Sequence, residues 1–516
     1  MKRALSAALS LAILGVTPGR GGPARDPVVE KVRAYRAAHE LAILREFREL
    51  LAIPNVASDD ANIRANAVAI VRLLERRGVR ATLFDGEGGP PAVYGEMTSP
   101  GAKKTIVFYA HYDGQPVDPA KWAGAPWEPV VRSASLESGG REVPWDSLTS
   151  PVDRNFRVYG RSAGDDKASI AGLLAALDAL SAAGRRLSVN VKFFFEGEEE
   201  AGSPHLSDVL RRNAARLASD LWLFCDGPVH QSGRKLVFFG TRGVMDVEIT
   251  AYGATRRLHS GHYGNWAPNP AVELARLVAS MRDGEGRVAI PGFADDVRPP
   301  TDEERRAVVT APDVDASLKR ELGLGRTEGG GERIEARILQ PALNVRGFAA
   351  GDVGAKTTNS IPTEATVSID FRLVPDQTPE KVRSRVEDFL RAQGFFLVRG
   401  GPPDAATRLA HPRVLRVEWG SGYPATRVSM DLPVSRAVFS ILSEVSGDPV
   451  VRLPTLGGSG PNDLFERILG VPVLGLPIAN HDDNQHAANE NLRIGNLWDG
   501  IELYAALMAY LGERWR

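Results

Sequence analysis

Short apolar runs that break off directly into histidine or carboxylate clusters constrain this chain more than any other feature. Residues 104–110 (KTIVFYA) run into His111-Tyr112-Asp113, residues 187–195 into Glu196-Gly197-Glu198-Glu199-Glu200, and residues 221–225 into Asp226. A further run, 471–477, precedes the polar stretch 481–490 that contains His486. Runs of this length, rich in β-branched and aromatic residues, read as strands buried on both faces. Between them lie stretches of helical spacing. In 28–52, Val28, Val32, Tyr35, Leu41, Leu44 and Phe47 share a face; 59–77 ends before Gly78, and 166–180 is stopped by Gly184. Strands alternating with helices predict an α/β fold, a mixed sheet flanked by helices. In open sheets of this kind, ligands bind beyond the carboxyl ends of the strands.

The middle of the chain has a different character. Residues 243–252 alternate like a half-buried strand, as do 363–373 through Ala365, Val367, Ile369, Phe371 and Leu373. Helical patterns at 270–281 and 379–393 and a short strand at 395–398 complete two β-α-β pieces, which predict a small four-stranded α+β (ferredoxin-like) lid. The polar, glycine-rich stretch 292–340 reads as a long loop with one short helix. At 516 residues the chain exceeds one ordinary core. The expected division is a catalytic domain of 25–240 and 401–516, with the lid, 241–400, inserted.

Net charge is -1, so no basic surface suited to nucleic acid or to an anionic membrane is expected. The one cysteine, Cys225, excludes a disulfide framework and a thiolate zinc site, and reads as a small core residue. Met1-Lys2-Arg3 followed by an apolar run to Val16 has the pattern of a secretory signal peptide, expected to occupy 1–24. The run is too short to span a bilayer, so the expectation is an exported (periplasmic or secreted) protein with no membrane attachment after processing.

Each polar cluster carries an ordinary reading beside a chemical one. His111-Tyr112-Asp113 is a surface turn, or a zinc ligand whose ring is held by a carboxylate. Asp165-Asp166, in Gly160–Lys167, either caps the helix that follows or offers a carboxylate to two cations. The acidic turn 196–200 is solvated, or its carboxylates crowd at the edge of an apolar core and require cations. All these clusters converge on one sheet edge, and imidazole with carboxylate is a donor set suited to zinc without thiolate. Gly457-Gly458-Ser459-Gly460 lacks the lysine of a phosphate loop.

The ordered motifs resemble those of the dinuclear zinc exopeptidases and amidohydrolases, the family of carnosinases, nonspecific dipeptidases, carboxypeptidase G and aminoacylases. They are His-Tyr-Asp at 111–113, Gly-Arg-x-x-x-Asp-Asp-Lys at 160–167, Glu-Gly-x-Glu-Glu-x-Gly-Ser at 196–203 and Asp226. His259-Ser260-Gly261, Asn359-Ser360-Ile361-Pro362, Phe371–Pro375, Gly457-Gly458-Ser459 and His486 follow. The stretch 286–297 is similar to the nonspecific-dipeptidase branch. The resemblance implies two divalent ions, zinc or else manganese or cobalt. His111 and Asp226 hold one, Glu200 and His486 the other, and Asp165 both, across a cis Asp165–Asp166 bond. It further implies Asp113 as the group orienting His111, and Glu199 as general base. His259 is implied as an oxyanion donor reaching the partner subunit of a lid-mediated homodimer. Arg372 is implied as a clamp for a substrate carboxylate, assisted by Asn359, Gly458 and Ser459. The implied reaction is hydrolysis of dipeptides or of the C-terminal residues of short peptides; the alternatives are an N-acyl amino acid deacylase or, remotely, a non-catalytic binding protein retaining the fold. Carnosine-cleaving members carry a further histidine near the lid's return, where this chain reads Ser429-Met430-Asp431-Leu432-Pro433; nearby His411 does not replace it, so a carnosine preference lacks that support.

Overall fold

The computed structural model describes residues 27–516; the signal-like segment read at 1–24 lies outside them. The larger sheet runs in the order Arg80–Phe84, Ala92–Met97, Asn190–Glu196, Thr105–His111, Leu221–Phe224, Val473–Gly475, Leu236–Phe238, Val451–Leu453. Its central strands, 190–196, 105–111, 221–224 and 473–475, are parallel, and antiparallel pairing flanks them. The strands read from sequence are these central ones, and their carboxyl ends face one side of the molecule, as a parallel sheet requires.

Both faces of the sheet are covered. On one face the helices Pro27–Leu51, Lys167–Ala182 and Ile494–Arg514 pack against one another. The 167–182 helix has no polar face of its own and is buried along almost its whole length. It comes close to its neighbours because Gly172 carries no side chain; a Cβ there would lie 3.1 Å from the Tyr504 ring. The other face is a cluster of rings, with Tyr109 stacked on Phe224 and Trp222 on Phe465. Cys225 is buried in the core.

The lid sheet runs in the order 342–349, 364–373, 243–252, 414–423, 396–398. The inward-facing Val247, Ile249, Val367, Ile369 and Phe371 form a core with the helices Pro270–Ser280 and Pro379–Ala392. Two expectations change here. The sheet has five strands: Ala342–Ala349, not placed from sequence, forms one edge, and Val414–Tyr423 inserts between 243–252 and 396–398, pairing antiparallel to the first and parallel to the second. The lid sheet thus extends past residue 400, and 401–423 runs with it. The second change is at 292–340, which is no loop with one helix. It contains Asp302–Thr310, Asp315–Glu321 and Ile334–Ile338, the first started by a capping box between Thr301 and Glu304.

A further small sheet, Asn491–Arg493, Arg157–Tyr159, Val130–Arg132 and Glu142–Val143, has no counterpart in the sequence reading. It ties the segment after His486 to the segment before Asp165. Among the described residues no helix is long and apolar enough to cross a membrane.

Candidate metal centre

Each expected ligand leaves the carboxyl end of a sheet strand or a loop beside it. His111 is the last residue of its strand, and Asp226 lies two residues beyond 221–224. Glu200 sits in a short 3-10 turn after 190–196. Asp165 immediately precedes Asp166, the residue at the N-terminus of the 167–182 helix, and the peptide bond between them is cis. The Asp166 carboxylate accepts the Ser169 hydroxyl at 2.5 Å and makes no bond to a helix amide.

Two groups of donor atoms result, His111–Asp165–Asp226 and Asp165–Glu200–His486, each with its atoms within 4.8 Å of one another. Asp165 belongs to both. Its Oδ1 lies 2.7 Å from His111 Nε2 and its Oδ2 3.1 Å from His486 Nε2, which is equally 3.1 Å from Glu200 Oε2. Asp113 closes the arrangement from behind. Its carboxylate is 3.3 Å from His111 Nδ1 and accepts the backbone N–H of Glu199 at 3.1 Å and of Glu200 at 3.0 Å. One buried carboxylate therefore fixes the His111 ring and the turn carrying Glu199 and Glu200 together.

The acidic turn divides by function of position. Glu196 is buried and accepts the Tyr109 hydroxyl at 2.7 Å, and Glu198 accepts from His205 at 2.8 Å. Glu199 and Glu200 remain directed at the centre. Burial pushes the Glu199 carboxyl well above the usual range, with Asp226, Glu200 and Asp165 adding to it and His111 opposing. Burial, with Asp165, likewise raises Asp226 to about 8. Hydrogen bonds to Asp165 and Glu200 raise His486 to about 11. These carboxylates cannot all ionise side by side without cations between them. Asp226 Oδ1 is buried with no hydrogen-bond partner among the described residues. An orphaned carboxylate oxygen beside imidazole and further carboxylates, with no thiolate, fits a pair of divalent ions.

The sequence reading gave no role to the groups that hold Asp165 in place. Glu490 is fully buried and accepts the Arg161 guanidinium at 2.7 Å, the Ser162 amide at 3.0 Å and the Gly164 and Asp165 amides at 2.9 Å each. Gln485 donates to Asp165 Oδ2 at 2.8 Å and Gln115 to Glu200 Oε2 at 2.9 Å. Glu490 appears in the sequence only as the last residue of the polar stretch 481–490, and neither glutamine carried a signal.

The expected substrate-binding residues fall into two places. Arg372 reaches across from the lid and donates to Ser459 Oγ at 2.7 Å, its Nε held by Asp370 at 3.0 Å. Gly458, beside Ser459, accepts the Arg242 amide at 3.1 Å through its carbonyl. His259 and Asn359 lie elsewhere, on an exposed two-stranded ribbon where Ser260 N–H donates to the Asn359 carbonyl at 2.9 Å. His259 accepts the Gly261 amide and leans on His262, with no hydrogen bond to the ligand cluster. His411 stacks on Phe396, on a lid edge strand.

The model for the peptidase family M20/M25/M40 matches residues 107–510. The chain is similar to the Cys-Gly metallodipeptidase dug1 of Schizosaccharomyces pombe, 27% identical over 85% of this chain and 87% of that protein. It is 26% identical to the human Beta-Ala-His dipeptidase over 98% of each. A solved M20 family metallo-carboxypeptidase from Sulfolobus solfataricus superposes with a TM-score of 0.75 at 29% identity, covering 91% of this chain and 99% of that one.

Proposed function

The chain belongs to peptidase family M20/M25/M40, and on that premise we propose that it is a metal-dependent dipeptidase. The observation that carries the reading is the shared Asp165 between two complete ligand trios, with Glu199 beside them. His111 and Asp226 would hold one ion, Glu200 and His486 the other, and Asp165 both. When bound, two such ions polarise a carbonyl and acidify a water. Zinc suits the donor set, and manganese or cobalt could replace it.

The residues of the chain supply the remainder. Glu199 takes the proton of the attacking water on its carboxylate and returns it to the leaving amine nitrogen. Its amide, pinned to Asp113, keeps that carboxylate at the centre without making it a ligand. Arg372 clamps the substrate carboxylate, a task suited to a planar guanidinium, with Ser459 and Gly458 beside it. A homodimer formed through the lid would bring the exposed His259 to the partner's centre as oxyanion donor, with Asn359 beside it to assist substrate binding. The lid's outer strand, Ala342–Ala349, supports it, being an edge with Val345 and Phe348 exposed.

The test is a dipeptide panel assayed on chelated protein and again after zinc or manganese is returned. Metal-restored cleavage, abolished in Glu199→Ala and weakened through KM in Arg372→Ala, is the expected result. Silence on dipeptides with cleavage of N-acyl amino acids would replace the reading with a deacylase. A protein that binds no metal would refute the site.

A further inference from the structure

Two polar groups in the cleft have no part in that reading. Tyr423 ends the 414–423 strand of the lid, and Asp463 lies in the first turn of the helix Asn462–Leu469. Both line one cavity of about 680 Å³ that also takes in Glu199 and Val244.

Register places the lid's contribution. Arg372 lies opposite Val244, and Val244 lies opposite Tyr423, on adjacent antiparallel strands. Residues directly opposite share a face of a sheet. Arg372, Val244 and Tyr423 therefore form one transverse row. Met245 and Phe371, their neighbours in sequence, belong to the lid core, so the row points away from that core. One end of it is anchored on Ser459 through Arg372, and the other opens into the cavity with Glu199. Two strand spacings separate the ends by about 10 Å. An extended dipeptide spans about 7 Å, which leaves side-chain reach at each end.

Asp463 supplies a charge at the far end. It is 5% exposed, and its Oδ1 has no hydrogen-bond partner among the described residues. Its other oxygen faces Arg467, 3.5 Å away on an exposed side chain, and the carboxylate also accepts the Leu464 amide. A buried carboxylate oxygen without a donor is costly unless a ligand provides one. Burial pushes the Tyr423 phenol up, with Glu199, Asp463 and Asp226 adding to it and Arg372 opposing, so the hydroxyl lies within the field of both Glu199 and Asp463.

We propose that Asp463, with the Tyr423 hydroxyl oxygen, binds the protonated α-amino group of the substrate, so that the cleft reads both ends of a dipeptide. This rests on the dipeptidase reading and narrows it to substrates with a free amino terminus. An ammonium offers donors to Asp463 Oδ1 and to the phenol oxygen at once. An acylated nitrogen is neutral and leaves Asp463 uncompensated, and a site built around a polar partner discriminates strongly against its absence.

The experiment compares kcat/KM for Ala-Ala, N-acetyl-Ala-Ala, Lys-Ala and Ala-Lys, using metal-restored parent, Asp463→Asn and Tyr423→Phe. The parent is expected to favour Ala-Ala over its acetylated form by about a hundredfold. Asp463→Asn should shrink that ratio at least tenfold, through a higher KM for Ala-Ala and with N-acetyl-Ala-Ala unchanged. Tyr423→Phe should shrink it in the same sense, which keeps the test open if Asp463→Asn folds poorly. An unchanged ratio in both variants, whether or not both substrates slow together, would overturn the inference. So would a loss confined to the lysine peptides, which would assign the ammonium to a side chain. A parent that cleaves both forms equally also overturns it while leaving the dipeptidase reading intact; a parent that cleaves no peptide sinks that reading itself.

Discussion

Replacing Glu490 with alanine should be among the most damaging single changes available outside the ligands. Glu490 is fully buried, its partner Arg161 is 2% exposed, and among the described residues no other carboxylate bonds that guanidinium. Removing one member of a buried ion pair costs about 3–5 kcal/mol, because the other charge is left in the interior. Three backbone amides, of Ser162, Gly164 and Asp165, lose their acceptor in the same step. Each stranded donor costs about 1–3 kcal/mol. The terms overlap, since water entering the vacated space serves some of these donors. A loss of about 4–6 kcal/mol is therefore expected, a large part of a typical net stability of about 5–15 kcal/mol. Glu490→Gln should lose about half as much, because its amide oxygen still serves two donors while its NH₂ faces the others. Urea unfolding of chelated protein gives the stability change free of metal linkage, and zinc titration calorimetry reads the effect on Asp165, with weaker binding expected in both variants. A loss below about 1 kcal/mol in Glu490→Ala, with zinc affinity unchanged, would refute the assignment of Glu490 as the clamp on the bridging carboxylate.

If His259 acts across a dimer, mixing inactive Glu199→Ala with inactive His259→Ala should restore roughly a quarter of parental activity, since about half the dimers are then mixed and each mixed dimer holds one intact site of two; no recovery after confirmed subunit exchange would place His259 outside the reaction. Glu466 gives a pH prediction away from the metal centre. Burial, aided by Asp463, raises its carboxyl from 4.5 to about 7. A carboxyl raised by folding contributes stability that is complete below about pH 4.5 and is lost as pH rises through about 7. The shift sets a ceiling of about 3 kcal/mol, reduced by partial exposure to about 1–2 kcal/mol. Glu466→Gln should thus exceed the parent by that amount at pH 8 and match it at pH 4.5. Equal urea midpoints at pH 8 would refute the burial argument.

What the sequence made legible was whatever the chain states locally. The strand ending in His111, the turn at Glu199-Glu200 and Asp226 announce themselves because an apolar run stops at a histidine or a carboxylate. The alternation from Ala365 to Leu373 announces a sheet with one buried face, and the lid core follows it. What escaped depends on partners far apart. Arg161 and Glu490 are 329 residues apart and meet only because the strand Asn491–Arg493 docks on Arg157–Tyr159. Neither strand is long enough to show a period. Val414–Tyr423 carries an alternating signal of its own, Leu415, Val417 and Trp419 against Arg416 and Glu418, which the two glycines after Trp419 cut short; its place between two strands already read is decided by tertiary pairing. The helix at 302–310 did carry its signal, Thr301 three residues before Glu304, but hydrophilic composition around it favoured a loop.

The position of Val473–Gly475 has a consequence for how the molecule comes into being. This strand lies between Leu221–Phe224 and Leu236–Phe238, which precede it by the whole length of the lid. A polypeptide emerging in order holds that slot open while the lid sheet, whose strands pair with one another, can already complete itself. Until the late strand arrives, two apolar strand edges stand unpaired at the middle of the sheet, the arrangement most prone to join with another chain. The same late segment brings His486 and Glu490. Closure of the sheet and completion of the ligand set are thus one event, so a nascent or truncated chain has neither a sealed core nor a full set of donors.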